Sequence, residues 1–486
     1  MATTESNVSP LRVADLAPLR VAVWGGAREG RATLSTLQQR LPGKPLTVFC
    51  SESEAKSIDS GAPASRGAPR PGTIGRDGQG KLLRLVTSAP DLAALREFDV
   101  IVKSPGISPY KTPVPGAIKA GVRFTSGSAL WFAEHPQART ICVTGTKGKS
   151  TVAALIAHLL RKGGLRTALA GNIGLPLLEL IDVPGQSHAP EWWVIELSSF
   201  QIQDFGGAAS VAVINNLYEE HLDWHLTAER YRSDKLAIAA RARRLVVNVQ
   251  PELLAATAAH RARSVFGGAD GWHVAGNAVA RGEVRVFDLA RSPLPGLHNA
   301  NNICAALAAI DAAGLDAAAL ARHVASFSPL PHRLQTLGER DGIVYVNDSI
   351  ATTPHATIEA LRSMGARATT VLVGGFDRGV SWSAFVDYVS LHQPQAIVTM
   401  GANGARIAQA LAPMPRSHLR LESASALEQA LTVARELTPA GGAILLSPGA
   451  PSFDQFRDYA ERGREFARLA GFDPVAIGTI PGLGVA

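Results

Sequence analysis

One stretch, Val143–Thr151, limits the possible folds of this chain more than any other part of the sequence. It joins a short apolar run to apolar residues at helical spacing that end at two consecutive glycines. This order predicts a phosphate-binding loop, because glycines let backbone N–H groups approach an anion and the helix N-terminus adds a positive dipole. We expect Lys149 to reach the terminal phosphates of a nucleotide and Ser150 or Thr151 to hold Mg²⁺. Val143 stands where the general pattern has glycine, so the loop is a short variant; the alternative is an ordinary turn with a lysine.

Length and composition indicate a multidomain α/β enzyme. The chain has 486 residues, which suggests about three domains, and 46% of them are hydrophobic while only 6% are aromatic. The net charge of +7 comes from scattered arginines with no basic run, so we expect no nucleic-acid partner. Three cysteines, Cys50, Cys142 and Cys304, lie in apolar segments and are predicted to be reduced. Without a membrane-length apolar run or a signal-peptide core, we expect a cytoplasmic monomer that does not bind membranes.

The N-terminal segment predicts a second ligand-binding turn. A strand at residues 19–24 leads into Gly25–Gly30, followed by a helix from about Arg31 to Arg40. Ala27 stands where the dinucleotide fingerprint has its second glycine, so a plain α/β turn is an equal alternative. Another strand at residues 98–102 ends at a turn, residues 103–108, whose serines and amides suit a diphosphate. Residues 53–80 are rich in Gly, Pro, Ser and Arg and predict a long surface loop.

Polar residues follow the predicted strands of the middle segment. Glu196 ends a buried strand, where open α/β sheets bind ligands, and is therefore a candidate for Mg²⁺. A strand at Val211–Leu217 leads into the acidic and histidine-rich residues 219–225, which suggest an ion site, although a single histidine is more often structural. Lys235 lies on a predicted helix, Ala228–Ala242, where its spacing alone predicts a solvated side chain. Residues 297–302 precede another predicted helix, Ile303–Ala313.

The last segment predicts a second doubly wound parallel sheet. Its strands are predicted at Ile343–Val346, Thr369–Val373, Ala396–Met400 and Ala443–Leu446, with helical stretches between them. Polar loops follow three of these strands, at residues 347–349, 374–379 and 447–452.

Together these stretches resemble the Mur ligases of peptidoglycan synthesis, and most closely the branch that adds glutamate. The matching motifs, in chain order, are Gly145–Thr151, Gly171–Pro176, Glu196–Gln201, Glu220–Asp223, Leu297–Asn302, His332–Arg333, Asn347–Ser349, Ser452–Phe456 and Glu461–Phe466. The resemblance implies a UDP-sugar-binding Rossmann-like domain at 1–137 and a central P-loop ATPase domain at 138–329. It also implies a C-terminal Rossmann-like domain at 330–486, which binds the incoming amino acid and closes on ATP.

The family resemblance also implies a reaction. ATP phosphorylates the carboxylate of UDP-N-acetylmuramoyl-L-alanine, and the amino group of glutamate attacks the acyl phosphate to give an amide, ADP and phosphate. Two Mg²⁺ ions and a lysine are expected around the γ-phosphate, because the reaction brings anions together.

Residue roles follow from the same resemblance. Lys149, Glu196, His221 and Lys235 are the expected catalytic residues, and Ser150, Glu196, His221 and a carbamylated Lys235 are the expected metal ligands, which replaces the solvated interpretation of Lys235. The expected ATP contacts are Gly145, Thr146, Lys147, Gly148, Lys149, Ser150, Thr151, Asn302, Arg333 and Asp348. The expected UDP-sugar contacts are Gly25, Gly26, Ser104, Pro105, Gly106 and Asn172. The expected amino-acid contacts are Thr352, Arg378, Ser452 and Tyr459.

Departures from the family pattern lie mostly in the amino-acid pocket. Ile350 and Arg378 stand where lysines are usual, and Tyr459 replaces a phenylalanine. This pattern favours the family members that add L-glutamate. The alternatives are an ordinary D-glutamate ligase, a ligase similar to folylpolyglutamate synthase, and a non-catalytic binding protein built on an inactive ligase.

Overall fold

The computed structural model describes residues 10–59, 74–76, 82–183, 189–414, 419–478 and 480–485. The predicted α/β fold class is confirmed. The chain forms two compact units: the first takes in the chain to Ser292, His298–Ser326 and the tail from Gly482, and the second takes in Pro293–Leu297 and Phe327–Pro481. Within the described ranges, no helix combines the length and apolar character that crossing a bilayer requires.

The first sheet of the first unit positions the N-terminal turns. Its order is β3-β4-β2-β1-β5-β6, and its strands are β1 (Val21–Trp24), β2 (Leu46–Phe49), β3 (Ile74–Arg76), β4 (Leu82–Val86), β5 (Val100–Lys103) and β6 (Arg123–Thr125). All pairs are parallel except β3 with β4. The accompanying helices are α1 (Arg28–Arg40), α2 (Glu52–Asp59), α3 (Leu92–Leu95), α4 (Val114–Lys119) and α5 (Gly127–Glu134). Because β1 and β5 are parallel neighbours, the turns after them meet at one edge.

The second sheet carries the phosphate loop. Its order is β12-β11-β10-β7-β9-β8-β22, from β7 (Thr140–Thr144), β8 (Thr167–Gly171), β9 (Trp192–Glu196), β10 (Ala209–Ile214), β11 (Ala242–Asn248), β12 (Arg263–Phe266) and β22 (Gly484–Val485). β22 is antiparallel to β8, and the other pairs are parallel. Its helices are α6 (Lys149–Lys162), α7 (Ser199–Gln203), α8 (Leu222–His225), α9 (Ala228–Leu236), α10 (Pro251–Ala256), α11 (Leu297–Ala312) and α12 (Ala317–Ala321). β7 lies between β9 and β10, so the loops after these three strands converge.

One hydrophobic core lies beneath the first two sheets. Trp131 of α5 is fully buried and packs on Trp193 of β9, with the ring centroids 4.8 Å apart. A short antiparallel meander, not predicted from the sequence, completes the first unit: β13 (Trp272–Ala275), β14 (Ala278–Arg281) and β15 (Val284–Asp288). Its turns contain Gly276 and Gly282, the kind of hairpin signal that the sequence does offer.

The second unit is built on a mostly parallel sheet in the order β16-β17-β21-β18-β19-β20. Its strands are β16 (Gln335–Arg340), β17 (Ile343–Asn347), β18 (Thr369–Val373), β19 (Ala396–Thr399), β20 (Arg420–Ser423) and β21 (Ala443–Leu446). Its helices are α13 (Pro354–Ser363), α14 (Ser383–Leu391), α15 (Gly404–Leu411), α16 (Leu427–Leu437) and α17 (Tyr459–Leu469). The four predicted strands, β17, β18, β19 and β21, form a parallel sheet as expected, and an unpredicted edge strand, β16, runs antiparallel to β17.

Three element predictions need correction. The start of the predicted loop at 53–80 is helical, because Ser51 and Glu54 form reciprocal capping hydrogen bonds that begin α2; residues 60–73 and 77–81 lie outside the described residues. The predicted helix Ala228–Ala242 ends at Leu236, and β11 begins at Ala242. The motif at 297–302 lies inside α11 and not before it.

Candidate active site

The loop after β7 has the geometry of a phosphate-binding loop. Gly148 has a φ of 78° and caps α6, and a Cβ at this position would lie 2.4 Å from the Oδ1 of Asn302. Lys149 begins the helix and its Nζ donates to the backbone oxygen of Thr146 at 2.9 Å. The first amides of an α-helix lack intrahelical acceptors, so the loop directs N–H groups at the space that an anion would fill.

Two asparagines hold the loop in this shape. The Oδ1 of Asn216 accepts from the amides of Thr146 and Lys147 at 3.0 and 2.8 Å, and the Nδ2 of Asn215 donates to the oxygen of Lys147 at 3.0 Å. Asn215 also donates to Asn302, which places this expected ATP contact against the loop. Neither asparagine is among the predicted site residues, because both fall within the predicted strand Val211–Leu217. A polar pair at the end of an apolar strand was the available signal.

Lys235 is buried against the phosphate loop. Lys235 is 2% exposed, and its Nζ donates to the backbone oxygen of Gly145 at 2.9 Å. The interpretation of a solvated side chain, which rested on spacing alone, is therefore wrong. Burial, together with the nearby charge of Lys149, lowers the pKa of Lys235 well below its ordinary value, while Glu220 and Glu196 oppose this shift. A lysine in this position has a larger fraction of neutral amine than one in water.

Glu196 and His221 belong to the same charged cluster. Glu196 is buried at the end of β9, and its Oε1 accepts from the Nδ2 of Asn172 at 3.0 Å. Its Oε2 has no hydrogen-bond partner among the described residues. His221 has a side chain that is 47% exposed and a φ of 57°, and burial of its ring lowers its pKa, with Lys149 and Lys235 contributing. The structure therefore brings Lys149, Glu196, His221 and Lys235 together.

The described part of the chain contains no group of three or more His, Cys, Asp or Glu side chains arranged to bind a metal. The predicted metal ligands include only two residues of those types, Glu196 and His221. The unpartnered buried oxygen of Glu196 nevertheless fits a cation, since a buried carboxylate oxygen without a partner is costly.

The N-terminal turns lie in contact with each other. Gly25 has a φ of 105°, and a Cβ there would lie 2.4 Å from the Oγ of Ser104, which is buried without a hydrogen-bond partner among the described residues. The ring nitrogen of Trp224 donates to the oxygens of Pro105 and Gly106 at 3.1 Å each. A cavity of about 280 Å³ opens beside this turn, and its lining includes Trp24, Gly106, Ile107, Lys111, Asp223 and Trp224.

Asn172 connects the two groups of expected ligand contacts. Its side chain binds Glu196, as described above, and two residues later the oxygen of Gly174 accepts from Arg28 at 2.6 Å. Arg28 begins α1, directly after the turn that contains Gly25 and Gly26. The loop from Gly171 to Pro176 therefore lies beside both the cation candidates and the N-terminal turn.

In the second unit, Asp348 follows β17 and is buried. Burial raises its pKa to about 7, although the hydroxyl of Ser447 and the amide of Leu334 donate to its carboxylate at 2.8 and 3.1 Å. Arg333 lies one residue before Leu334, at the turn that precedes β16.

Of the expected amino-acid contacts, Thr352, Arg378 and Ser452 lie on loops of the second unit, and Tyr459 begins α17. Ser452 is buried, and its Oγ has no partner among the described residues. The amide of Phe376 donates to the oxygen of Pro451 at 2.8 Å, which brings the loop carrying Arg378 to the loop carrying Ser452. Arg378 is exposed, Thr352 is half-buried and Tyr459 is 41% exposed.

A residue that the sequence analysis placed in a motif without a role, Arg462, lies beneath these loops. It is 1% exposed and donates to the Oγ and oxygen of Ser349 and to the oxygen of Ala450, at 3.0, 2.8 and 3.0 Å. Its Nη1 has no partner among the described residues, and burial lowers its pKa to about 10. The only signal in the sequence was an arginine on the apolar side of an amphipathic helix.

Known proteins share both the sequence and the fold. The Mur ligase middle domain matches residues 143–310, and the Mur ligase glutamate ligase domain matches residues 332–449. A UDP-N-acetylmuramoyl-L-alanine–L-glutamate ligase of Xanthomonas euvesicatoria is 49% identical, covering 98% of this chain and 100% of that protein.

Two solved structures share the fold at low identity. The UDP-N-acetylmuramate–alanine ligase MurC of Thermotoga maritima is 17% identical with a TM-score of 0.58, covering 93% of this chain and 99% of that one. The MurF ligase of Thermotoga maritima, solved with ADP, is 15% identical with a TM-score of 0.54, covering 92% of this chain and 93% of that one.

Proposed function

This chain belongs to the Mur ligase family, and from that premise we propose that it joins L-glutamate to UDP-N-acetylmuramoyl-L-alanine at the expense of ATP. The observation that carries the proposal is Lys235, buried on the phosphate loop beside Glu196 in a chain 49% identical to an enzyme named for this reaction. ATP and free glutamate are cytoplasmic metabolites, so we assign the reaction to the cytoplasm.

The proposed reaction has two steps. A carboxylate oxygen of UDP-N-acetylmuramoyl-L-alanine attacks the γ-phosphorus of ATP, and ADP leaves. The amino group of glutamate then attacks the acyl carbon and loses a proton, and phosphate leaves as the amide forms. Lys149 and the backbone amides of the loop offset the charge on the transferred phosphoryl group.

Magnesium, when bound, neutralises phosphate oxygens and orients them for transfer. We propose Ser150, Glu196, His221 and Lys235 as its ligands. Lys235 serves as a carbamate: its neutral amine attacks the carbon of CO₂ and loses a proton, which gives an anion in place of a cation. The lowered pKa of Lys235 supports this step, since only the neutral amine is nucleophilic.

The remaining contacts are assigned as follows. Gly25, Gly26 and Ser104–Gly106 hold the diphosphate of the UDP-sugar, and the unpartnered hydroxyl of Ser104 supports this assignment. Asn172 binds the same substrate. Asn302, Arg333 and Asp348 bind ATP.

We further propose that the chain works as domains 1–137, 138–329 and 330–486. Each of the three large sheets falls within one range, except that β22 joins the sheet of the second.

The amino-acid pocket supports the L-enantiomer. Ile350 offers no charge where family members that take D-glutamate have a lysine, so a carboxylate held there would lose roughly 1.5–3 kcal/mol. Arg378 replaces a compact ammonium with a planar fork, which favours a differently oriented carboxylate. Thr352, Ser452 and Tyr459 complete the proposed pocket.

The test is ADP release by the purified protein with ATP, Mg²⁺, UDP-N-acetylmuramoyl-L-alanine and L-glutamate. We expect release to require all four, and the product to gain the mass of one glutamyl residue. A folate acceptor in place of the UDP-sugar separates this proposal from a ligase similar to folylpolyglutamate synthase. ADP release with the folate acceptor and none with the UDP-sugar would contradict it.

A further inference from the structure

A buried series of hydrogen bonds joins three helices of the first unit. The Oγ of Ser199 lies 2.9 Å from the Nε2 of His225, and the Nδ1 of His225 lies 2.7 Å from the Oδ2 of Asp234. The hydroxyl of Tyr110 donates to the Oδ1 of Asp234 at 2.6 Å. Ser199 and His225 are buried, and the side chain of Asp234 is 11% exposed. We call Ser199, His225 and Asp234 the relay.

The hydrogen bonds of the relay have one consistent direction. Burial raises the pKa of Tyr110 above its ordinary value, so its hydroxyl stays protonated and donates to Asp234. Asp234 also accepts from the Nδ1–H of His225. Burial lowers the pKa of His225, which favours the neutral ring. Nε2 is then an acceptor, and the hydroxyl of Ser199 donates to it. Each polar atom that links the three residues is therefore satisfied.

Each residue of the relay lies close in sequence to one proposed metal ligand. Ser199 begins α7, three residues after Glu196; His225 ends α8, four residues after His221; Asp234 precedes Lys235 on α9. The segment that bears Glu196 is separate in sequence from those that bear His221 and Lys235, which belong to the consecutive helices α8 and α9. The relay is therefore a direct connection between the segments that carry Glu196, His221 and Lys235.

The segment that carries His221 needs such a connection. α8 has only four residues, and the residues on either side of it, His221 and Leu226, have positive φ angles of 57° and 70°. A single helical turn is not stable by itself. His225 fixes this turn from inside, through its two ring nitrogens and through packing against Phe200 and Tyr231.

We propose that the relay is a positioning device for the metal ligands. Ser199, His225 and Asp234 hold the segments that bear Glu196, His221 and Lys235 in fixed positions relative to one another. Tyr110 extends the device to the loop after β5, which carries Ser104–Gly106. The inference rests on the proposed function, because it assumes that these ligands hold Mg²⁺ for the ligase reaction.

The relay acts by position and not as a nucleophile. Its distances are those of a serine–histidine–carboxylate triad, but Ser199 is 3% exposed and His225 is fully buried. The cavity beside the N-terminal turn is lined by Trp224 and by neither of these residues. A serine without access to a substrate cannot attack one.

The main test uses Asp234→Asn and Ser199→Ala, with Tyr110→Phe as the mildest variant. Replacing a residue that orients a metal ligand typically lowers metal affinity or activity by 10- to 100-fold. We expect Asp234→Asn to weaken Mg²⁺-dependent ADP binding, measured by calorimetry, by about 10- to 100-fold and to lower kcat by a similar factor. Ser199→Ala is expected to have about a tenfold effect in the same direction. The KM for glutamate stays within about twofold, since the amino-acid pocket is untouched.

A matched control separates positioning from general stability. Asp311 also accepts from a ring nitrogen, that of Trp272 at 2.8 Å, and from Arg281, near the far end of α11 from Asn302. Asp311→Asn is expected to leave Mg²⁺-dependent ADP binding and kcat unchanged. If Ser199→Ala and Asp234→Asn change thermal stability but neither of these two quantities, the proposal is overturned.

A double variant tests whether Asp234 acts through Lys235. In a Lys235→Ala background, Asp234→Asn should add a smaller loss of Mg²⁺-dependent ADP binding than in the wild type, because only its connection to the His221 segment remains. A second loss as large as that in the wild-type background contradicts positioning through Lys235. An inactive wild-type protein would instead refute the proposed function, while an active wild type with unaffected relay variants refutes only the relay.

Discussion

The first unit's phosphate loop and the second unit's amino-acid loops both lie at the carboxyl ends of parallel strands, but they treat charge differently. Around the phosphate loop, the charges of Lys149, Glu220 and Glu196 all act on the pKa of Lys235. In the second unit, Arg462 and Asp348 are buried separately and hydrogen-bonded to neutral groups. Among the described residues, no carboxylate lies within ion-pair distance of Arg462. The first region is a cluster of coupled charges, whereas the two buried ionisable groups of the second are held by neutral hydrogen-bonding groups, which we call the neutral frame.

This difference suggests which residues tolerate change. Coupled charges around phosphate cannot be altered singly without loss of function, whereas a neutral frame permits substitutions at its surface. The departures from the family pattern, Ile350 and Arg378, lie on the half-buried or exposed part of the second region. In the proposed pocket, specificity for the amino acid would therefore be adjusted where substitution costs least.

The largest expected effect comes from the charge cluster. Lys235→Ala should lower kcat by about 1,000-fold, because it removes a proposed metal ligand from a pre-formed electrostatic site. High bicarbonate or a short-chain carboxylic acid should partly restore this variant, since the carboxylate group of either can occupy the vacated space. Steady-state ADP release measures both. Lys162→Ala, an exposed lysine at the end of α6, is the control and should be unchanged. Normal turnover by Lys235→Ala would show that the lysine has no role in the reaction.

The next effect concerns the neutral frame. Arg462→Met should destabilise the second unit by about 3 kcal/mol, because it leaves the buried oxygens of Ser349 and Ala450 without donors. Hydrogen exchange of peptides from β17 and β21 measures this. Arg468→Met on the same helix breaks only an exposed ion pair with Glu465 and should change stability by less than about 0.5 kcal/mol. Equal effects of the two variants would contradict the contrast between buried and exposed arginines.

A third prediction uses pH. The folded-state pKa of Asp348 is raised to about 7 from an ordinary 3.8, so its stabilising contribution is full below the ordinary value and is lost as pH rises through about 7. Between about pH 5.5 and pH 7.5 this loss amounts to about 2 kcal/mol. Asp348→Asn should remove it, so that the variant gains stability relative to the wild type as pH rises. Pulse proteolysis in urea, scored on fragments of the second unit, measures the difference.

The control for this pH effect is Asp377→Asn. Its partner Arg406 lowers the pKa of Asp377, so any change in pH dependence should have the opposite sign. If the difference in stability between the wild type and Asp348→Asn is constant with pH, Asp348 is not a buried, protonated carboxyl group near neutral pH.

The smallest effect is expected at the pocket surface. Ser452→Ala should raise the KM for glutamate by about 5- to 10-fold, the value of one hydrogen bond, with the KM for ATP unchanged. Thr438→Val removes another buried hydroxyl of the same unit, one that donates to Thr370, and should leave both KM values alone. If Ser452→Ala changes both KM values, the assignment of this serine to the amino-acid pocket is wrong.

The same contrast explains what the sequence could predict. The phosphate loop was predicted with its strand and helix because its geometry is local: a few residues between Thr140 and Lys162 specify it. The start of α11 was not predicted, since asparagine is a weak helix former and Asn302 is held by Asn215, a residue distant in sequence. The same limit applies to the burial of Lys235, which spacing alone predicted to be solvated.

The relay and Arg462 show the limit most clearly. Ser199, His225 and Asp234 match no known sequence motif, and only packing brings Ser199 to the consecutive helices that carry His225 and Asp234. Arg462 lies in a motif of the last helix, but its burial depends on loops that follow β17 and β21. Nothing in a local pattern distinguishes such an arginine from a solvated one.

The most direct test of the account compares the two glutamate enantiomers with the full chain, ATP, Mg²⁺ and UDP-N-acetylmuramoyl-L-alanine. Loss of one charge-assisted contact for the wrong enantiomer corresponds to at least about a tenfold difference in kcat/KM. We expect L-glutamate to be the better substrate by this factor or more. Equal or faster turnover of D-glutamate would contradict it.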